Sequence, residues 1–267
     1  MKKYMSYLRM YFIAGLQYRG AALGGLATQY AWGFLFLLQY RAFYASDPGA
    51  IPMPYPQLVS YIWLNQAFLM LFNTFRYDRE IVESITKGQI AYELVRPLSL
   101  YGMWLSRDLG SRIAAALLRS VPVLILAALL PEPFGMHLPG SFGGFLLFLL
   151  STVLGTLNCA AFTLLQYLVI FRTLSPGGIR SIAIALTELF SGALIPLPFF
   201  PPAIRNVLAL LPFAAMQNSP LRIYSDNLSG PAALTAIGVQ VFWCAVMLSI
   251  GSLGLQRQLR RVVVQGG

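Results

Sequence analysis

The chain has 267 residues, of which 57% are hydrophobic and only 10% are charged, and its net charge is +10. Roughly a quarter of the residues of an average soluble domain are charged, so this composition excludes a single water-soluble domain, and the length suits one membrane domain. The basic residues flank apolar runs, where they set topology and contact anionic head groups. No basic face remains for a nucleic acid.

The first twenty residues predict an interfacial helix ahead of any apolar run of spanning length. Tyr4, Tyr7, Tyr11 and Tyr18 fall near one helical face, and the stretch also carries lysines and arginines. This combination is typical of a helix that lies in the head-group plane. The stretch lacks the continuous apolar run of a cleaved signal peptide. A frayed basic tail is the alternative interpretation.

Six apolar segments predict membrane-spanning helices, each of which needs about 20 mostly apolar residues. They are Ala21–Tyr40, Leu58–Phe75, Ile113–Leu130, Phe142–Phe171, Ser181–Leu197 and Ala232–Leu255. The fourth contains no Asp, Glu, Lys or Arg, and its length exceeds the hydrocarbon thickness, so we expect it to tilt or to project from the membrane. The predicted fold class is therefore an all-α membrane protein with six transmembrane helices.

The distribution of basic residues predicts the orientation of these helices. Of the 19 lysines and arginines, fifteen lie in the N-terminal arm, the second and fourth connections and the C-terminal tail. The connections on the opposite side contain only Arg41, Arg205 and Arg222. Because excess Lys and Arg mark the cytoplasmic face, we expect both termini in the cytoplasm.

The cytoplasmic connection after the second span contains a pattern that predicts a short capped helix. Asp78 suits the N-cap position and Gly88 suits the C-terminal end. Glu83 and Lys87 form an i,i+4 pair in the favourable order. The helix also has an apolar edge, formed by Ile81, Val82 and Ile85. This edge has two interpretations: it docks into a groove on a partner protein, or it packs on the membrane domain itself.

Glu188 is the only acidic residue inside a predicted span. A charge near the bilayer centre is expensive unless it is paired, so such a residue usually faces the interior of the bundle. Arg119, in the third span, is the candidate partner. Glu188 is interpreted either as a proton or substrate site or as part of a structural pair or water-filled position.

The proline-rich stretch before the last span predicts an outer hairpin at 198–227. Within it, Ala203–Leu211 is largely apolar but too short to span the membrane. We expect a re-entrant or outer-surface helical hairpin that caps the bundle, with its irregular backbone buried in protein or lining a cavity.

Sequence motifs of catalysis and nucleotide binding are absent. The chain has no G-x-x-x-x-G-K-[ST] loop and no G-x-S-x-G or H-E-x-x-H pattern. Cys159 and Cys244 lie in apolar runs and His137 stands alone in a short loop, so we expect buried thiols and neither a disulfide nor a metal site.

Two stretches carry a resemblance to a known family. One is Gly88–Leu98, which reads GQIAYELVRPL, and the other is Ser191–Pro201, which reads SGALIPLPFFP, followed by Leu211-Pro212-Phe213 and Pro220. On these stretches and on their order with the six spans, the chain resembles the ABC-2 type permeases, the membrane subunits of ATP-binding-cassette exporters. Within that family it resembles the bacterial branch that is encoded beside a second permease and a separate ATPase.

The resemblance implies a single permease domain over 1–267, with an interfacial helix at 1–20, a cytoplasmic coupling segment at 76–100 and an outer hairpin at 198–227. It implies an exporter subunit in the bacterial inner membrane that forms half of the translocation pathway. The other half would come from a second permease, identical or homologous. Two ATP-binding-cassette ATPase subunits would hold ATP and Mg²⁺, so the chain itself would be neither an enzyme nor the holder of a cofactor or metal.

The resemblance also implies roles for particular residues. The residues that couple to the ATPase would be Arg79, Glu80, Glu83, Ile85, Lys87, Gly88 and Gln89. The residues that line the pathway would be Tyr30, Asn65, Phe68, Phe72 and Glu188. The outer gate would be formed by Pro196, Phe199, Phe200 and Pro201.

Two other functions are weighed against the permease. A proton-coupled secondary transporter would use Glu188, but such carriers usually have paired repeats with matching broken helices, and here the proline-broken backbone occurs once. A membrane-embedded transferase would need polar residues clustered near one leaflet, and the sequence has no such cluster.

Overall fold

The structure is a computed structural model that describes residues 2–17, 19–47, 52–74 and 76–260, apart from the side chains of Ala21 and Leu23. Tyr18 and Phe75, which belong to the predicted interfacial face and second span, lie outside the described residues. Across the described ranges the regular structure is entirely helical. The helices are α1 (Lys2–Leu16), α2 (Arg19–Ser46), α3 (Tyr55–Ala67), α4 (Leu69–Phe72), α5 (Arg79–Thr86), α6 (Ala91–Leu94), α7 (Leu100–Leu129), α8 (Phe142–Thr173), α9 (Pro176–Phe190), α10 (Pro202–Leu210), α11 (Pro212–Met216), α12 (Asn218–Tyr224) and α13 (Gly230–Leu259), with a 3-10 turn at Leu197–Phe199.

Among the described residues, three helices, α7, α8 and α13, are long and apolar enough to cross a membrane by length and composition. They contain 30, 32 and 30 residues, about 45–48 Å at 1.5 Å per residue, which exceeds the roughly 30 Å hydrocarbon layer. On α8 the side chains of Leu146, Leu150 and Val153 are exposed, as expected of a surface that contacts lipid. The prediction of an all-helical membrane protein is confirmed at this level.

The remaining predicted spans fall on helices whose bounds differ from the prediction. The second is divided at Phe68, between α3 and α4. The fifth ends at Phe190, because the chain turns at Gly192 (φ +80°) before Pro196. The third predicted span lies in a longer helix, α7, which begins at Leu100 instead of Ile113. Ser99 caps the start of α7, and the polar residues in the first half of this helix find partners in the protein.

Several polar side chains buried along α8 form hydrogen bonds with neighbouring helices. Gln240 of α13 donates to the carbonyl oxygens of Ser151 (3.0 Å) and Ala215 (2.9 Å) and accepts from the Ser151 hydroxyl (2.8 Å). Asn158 donates to the carbonyl oxygen of Gln240 at 3.0 Å. Where no water is present, such bonds stabilise helix pairs because the alternative is an unsatisfied polar group. They fasten α8 to α13 and α11.

Helix α1 lies along the first half of α7 in the same direction. The hydroxyl of Tyr4 donates to Ser99 Oγ at 3.0 Å, near the start of α7, and Gly15 packs against Ala114, well along that helix. Tyr7 also packs on the buried cluster around Trp104. The tyrosine face is therefore turned toward the protein and the segment is an ordered helix, not a frayed tail. Its position in the head-group plane stays a prediction.

The proline-rich segment is held in the bundle by side chains of α3. The Tyr61 hydroxyl donates to the carbonyl oxygen of Gly192 at 2.8 Å, and Asn65 Nδ2 donates to that of Ala193 at 2.8 Å. Gln217 Nε2 in turn donates to Asn65 Oδ1 at 2.8 Å. Helices α11 and α12 that follow are buried, whereas Leu194, Ile195 and most of α10 are exposed. The expected cover by protein therefore applies to only part of this segment.

Candidate functional site

The segment between α4 and α7 contains the capped helix that the sequence predicts. The Asp78 carboxylate accepts hydrogen bonds from the backbone N–H groups of Glu80 (3.0 Å) and Ile81 (3.3 Å), which satisfies two free donors at the start of α5. The helix ends before Gly88, whose φ of +71° strains any residue that has a Cβ. The described geometry therefore agrees with the prediction for this helix.

The apolar edge of α5 faces the chain's own core. Ile81 is 1% exposed and Ile85 is 6% exposed. Both belong to a buried cluster that includes Trp104 of α7 and Tyr167 of α8. Of the two interpretations left open by the sequence, packing on the membrane domain is the one the structure shows. The implied role of Ile85 as a direct contact of the ATPase stays a prediction, and its 6% exposure leaves little surface for such a contact.

The start of α5 is tied to α7 and α8 by charged and polar contacts. Arg107 Nη2 donates to Asp78 Oδ1 at 2.6 Å and to Glu80 Oε2 at 2.6 Å, and its Nε donates to Asp78 Oδ2. The backbone N–H of Asp78 donates to the hydroxyl oxygen of Tyr167 at 2.8 Å. The Arg107 guanidinium also lies 4.6 Å from the ring centroid of Tyr11 on α1. These contacts join four helices at one point.

The outward face of α5 presents a row of alternating charges. Glu83 accepts from Arg79 Nε at 2.9 Å and from Lys87 Nζ at 3.0 Å. The hydrogen bond from Lys87, followed by that from Arg79, lowers the pKa of the Glu83 carboxyl. Pairs of this exposed type contribute little stability. The three side chains are accessible to solvent.

The next helix, α6, presents an apolar surface that sequence reasoning missed. Ile90 is 3% exposed, and Glu93 accepts from Trp104 Nε1 at 2.8 Å, so one side of α6 is anchored to α7. Tyr92 on α6 and Val95, the residue directly after the end of α6, are 79% and 84% exposed. The signal in the sequence is this i,i+3 apolar pair inside a charged connection.

A buried arginine, Arg112, was also missed, because the sequence places it among the basic residues that flank the membrane. It is 4% exposed. Its Nη1 donates to the carbonyl oxygens of Leu71 (3.0 Å) and Asn73 and its Nη2 donates to Thr163 Oγ1 (3.2 Å). Its Nε pairs with Asp108 Oδ2 at 3.0 Å. The i,i+4 spacing of Asp108 and Arg112 is the signal that could have indicated it.

The residues implied to line the pathway do not share one surface. Asn65 is 8% exposed and Phe72 is 4% exposed, both within the chain's own core. Tyr30 and Phe68 are half-buried against neighbouring helices. Glu188 is exposed on α9, next to Thr187, whose Oγ1 accepts from Thr74 Oγ1 at 2.9 Å. The candidate partner Arg119 lies elsewhere, with its guanidinium against Gly25 of α2.

The residues implied to form the outer gate are adjacent in the structure. The ring centroid of Phe199 lies 5.0 Å from that of Tyr40, at the end of α2 that precedes α3. Phe200 packs with Leu197 and Leu208, Pro196 is buried, and Pro201 is exposed at the start of α10. The arrangement fastens the proline-rich segment to α2.

Long apolar helices that are joined by buried polar hydrogen bonds define a multi-pass α-helical membrane protein. The family described as ABC-2 family transporter protein matches residues 55–266, and the chain belongs to this family. It is thus a transmembrane permease component of an ABC transporter, a class that associates with an ATPase subunit. No curated protein and no solved structure matches the chain.

Proposed function

We propose that the chain is the transmembrane subunit of a bacterial ATP-driven exporter, in which it forms half of the translocation pathway beside a second permease. Two ATPase subunits bind ATP and Mg²⁺ and drive the cycle from the cytoplasmic side. The observation that carries the proposal is the exposed apolar pair Tyr92 and Val95 on a segment anchored to α7 and α8.

The docking surface for the ATPase consists of the outward face of α5 and the exposed part of α6. Its members are Arg79, Glu80, Glu83, Lys87, Gly88, Gln89, Tyr92 and Val95. An aromatic and an aliphatic side chain surrounded by charged groups have the composition of an interface core with a polar rim. Exposed apolar side chains in a charged segment lose water contact when such a partner binds.

The buried contacts of α5 give the docking surface a mechanical connection to the membrane helices. Ile81 and Ile85 pack on α7 and α8, and Arg107 holds both Asp78 and Glu80. A displacement of α5 by the ATPase is therefore passed to α7 and α8 through packed side chains, which resist deformation. In this proposal Ile85 transmits the movement and the exposed residues make the contact.

The proposed topology has six crossings with both termini in the cytoplasm. The crossings are α2, α3 with α4, α7, α8, α9 with the turn after it, and α13. The excess of basic residues at one set of connections supports this orientation. The docking surface then lies on the cytoplasmic side, and the proline-rich segment with Phe199 lies on the outer side, where it forms the gate.

The proposed pathway is lined by side chains that are accessible in the single chain. A path between two permeases must be bounded by groups on the surface of each. Glu188, Tyr30 and Phe68 retain exposure and stay in the proposal, whereas Asn65 and Phe72 are excluded because their side chains are buried within the chain.

The substitution Val95→Asp tests the docking surface. A carboxylate placed at the centre of an apolar contact removes about 2 kcal/mol or more of binding free energy, as for a central interface residue. We expect the variant, purified from native membranes, to lose its ATPase partner and its ATP-dependent transport while its thermal unfolding is unchanged, since the position is exposed.

The matched control is Leu138→Asp, which places the same charge at an 85% exposed leucine in the loop between α7 and α8. It should retain the partner. Undiminished recovery of the ATPase with Val95→Asp, or equal loss with both variants, would count against the docking surface.

A further inference from the structure

A cavity of about 520 Å³ lies beside the docking surface, between α1, the start of α2, α7 and the segment from Met70 to Glu80. The residues of α7 that line it run from Arg107 to Arg119. The twelve steps between these two residues correspond to about 18 Å along the helix. The cavity therefore extends from the charged start of α5 into the apolar part of α7.

The charges that line the cavity are unevenly distributed. Asp78 and Glu80 both accept hydrogen bonds from Arg107. Arg76 and Arg119 line the same cavity. The guanidinium of Arg76 makes no hydrogen bond or ion pair with another residue of the described chain, and its side chain is exposed. Two neighbouring guanidinium groups favour an anion.

Arg119 is held in place by the shape of α2. It is the only charged residue between Ile113 and Leu130, where a charge is expensive if it faces lipid. A Cβ at Gly25 would lie 2.4 Å from the guanidinium carbon of Arg119, so the absence of a side chain at position 25 makes the room for this group. Long side chains on a helix lean toward its N-terminus, which for α7 is the end near Arg76.

Most of the other residues that line the cavity are small or apolar, and Tyr11 and Ser111 also line it. The small or apolar ones are Ala14, Gly15, Ala22, Met70, Ala115 and Leu118. A wall of this composition accepts a hydrocarbon chain. Guanidinium groups bind phosphate through paired, charge-assisted hydrogen bonds. The combination matches a molecule with a phosphate at one end and an acyl chain at the other.

We propose that this cavity is a binding site for an anionic phospholipid of the cytoplasmic leaflet, with Arg76 and Arg119 in contact with the phosphate and an acyl chain along the small residues. The site shares Glu80 with the docking surface, but lipid binding does not depend on coupling to an ATPase. A bound lipid would hold α1 and α2 against α7.

The experiment measures lipid retention by the purified chain in neutral detergent, using native mass spectrometry. The probes are a short-chain phosphatidylglycerol and a phosphatidylcholine with the same chains, and glycerol phosphate serves as the soluble competitor. We expect preferential binding of phosphatidylglycerol and its weakening by about tenfold or more in Arg76→Gln and in Arg119→Gln, the effect of losing a charged hydrogen-bonding partner. Glycerol phosphate should not displace the lipid at equal concentration.

Two further variants separate a specific site from general attraction and from misfolding. Gly25→Leu keeps both arginines but fills the room of the Arg119 guanidinium, and we expect the same loss of lipid. Arg172→Gln removes an exposed basic residue at the end of α8 and should bind as the unmodified chain does. If Arg119→Gln does not fold, the proposal is tested with Arg76→Gln. The Arg76 side chain is exposed, so we expect this variant to fold.

Undiminished lipid binding by folded Arg76→Gln and Gly25→Leu would overturn the proposal. So would an equal loss with Arg172→Gln, or displacement by glycerol phosphate. Because the chain is measured without an ATPase, none of these results bears on the proposed transport function.

Discussion

Arg112 is the residue whose replacement should most damage the fold, and Arg112→Met is the perturbation that tests this. Its guanidinium is 4% exposed and bonds two backbone carbonyls of the α4 region, Thr163 of α8 and Asp108. Methionine preserves most of the side-chain length but provides no donor. The variant therefore leaves the carboxylate of Asp108 and two carbonyl oxygens without their partner.

The magnitude follows from the groups left behind. Removing one member of a buried ion pair costs about 3–5 kcal/mol because the other charge stays buried and uncompensated. Each carbonyl that stays unsatisfied adds about 1–3 kcal/mol, and relaxation reduces the sum. We therefore take about 3 kcal/mol as the lower bound on the loss of unfolding free energy in Arg112→Met. At roughly 2–4 °C per kcal/mol for a chain of this size, the Tm should fall by about 6 °C or more.

Thermal unfolding of the purified protein in detergent measures this effect. The control Arg172→Met removes an exposed arginine and should shift the Tm little. The double variant Asp108→Leu/Arg112→Met removes both charges and should recover part of the loss, because residues in contact are not additive. An unchanged Tm in Arg112→Met, or a double variant with the summed loss of the two single variants, would refute the reasoning.

Two other substitutions test the C-terminal end of α5 and the proposed pathway. Gly88→Ala should cost about 1 kcal/mol of unfolding free energy because the φ of Gly88 is +71°. The control Gly177→Ala, in α9 with open space around it, should not destabilise the protein. A loss of stability only at position 177 would contradict this prediction. Glu188→Gln should retain ATP-dependent transport in sealed vesicles in which ATP and the pH gradient are varied separately, since an ATP-driven exporter needs no proton-carrying acid. Transport that follows the pH gradient, ignores ATP and is lost in Glu188→Gln would favour the proton-coupled carrier.

Much of the secondary structure is predictable because it depends on neighbours in the sequence. The apolar runs that became α7, α8 and α13 contain almost no charged residues, and only a helix satisfies the backbone of such a run in a membrane. The same holds for α5, where Asp78 caps the start and Glu83 pairs with Lys87 one turn away. Each of these interactions joins residues at most four positions apart.

The candidate site is predictable only in part. The resemblance pointed to the segment that contains α5 and α6, and the family match supports its place in a permease. It did not indicate which side chains are available for contact. Ile85 was expected at a partner and is buried, whereas Tyr92 and Val95 received no role and are exposed. Amphipathicity identifies an apolar edge but not what covers it.

The sequence by itself determined that this chain is helical, belongs in a membrane, has an excess of positive charge on one set of connections and carries a capped helix between two apolar segments. These properties follow from composition, periodicity and local hydrogen bonding. The tertiary structure alone decided the break at Phe68, the burial of Arg112 and the enclosure of Arg119 beside Gly25. The last two depend on groups that lie far apart along the chain and meet only when the helices pack, because helix packing, unlike helix formation, is set by the shapes of both partners.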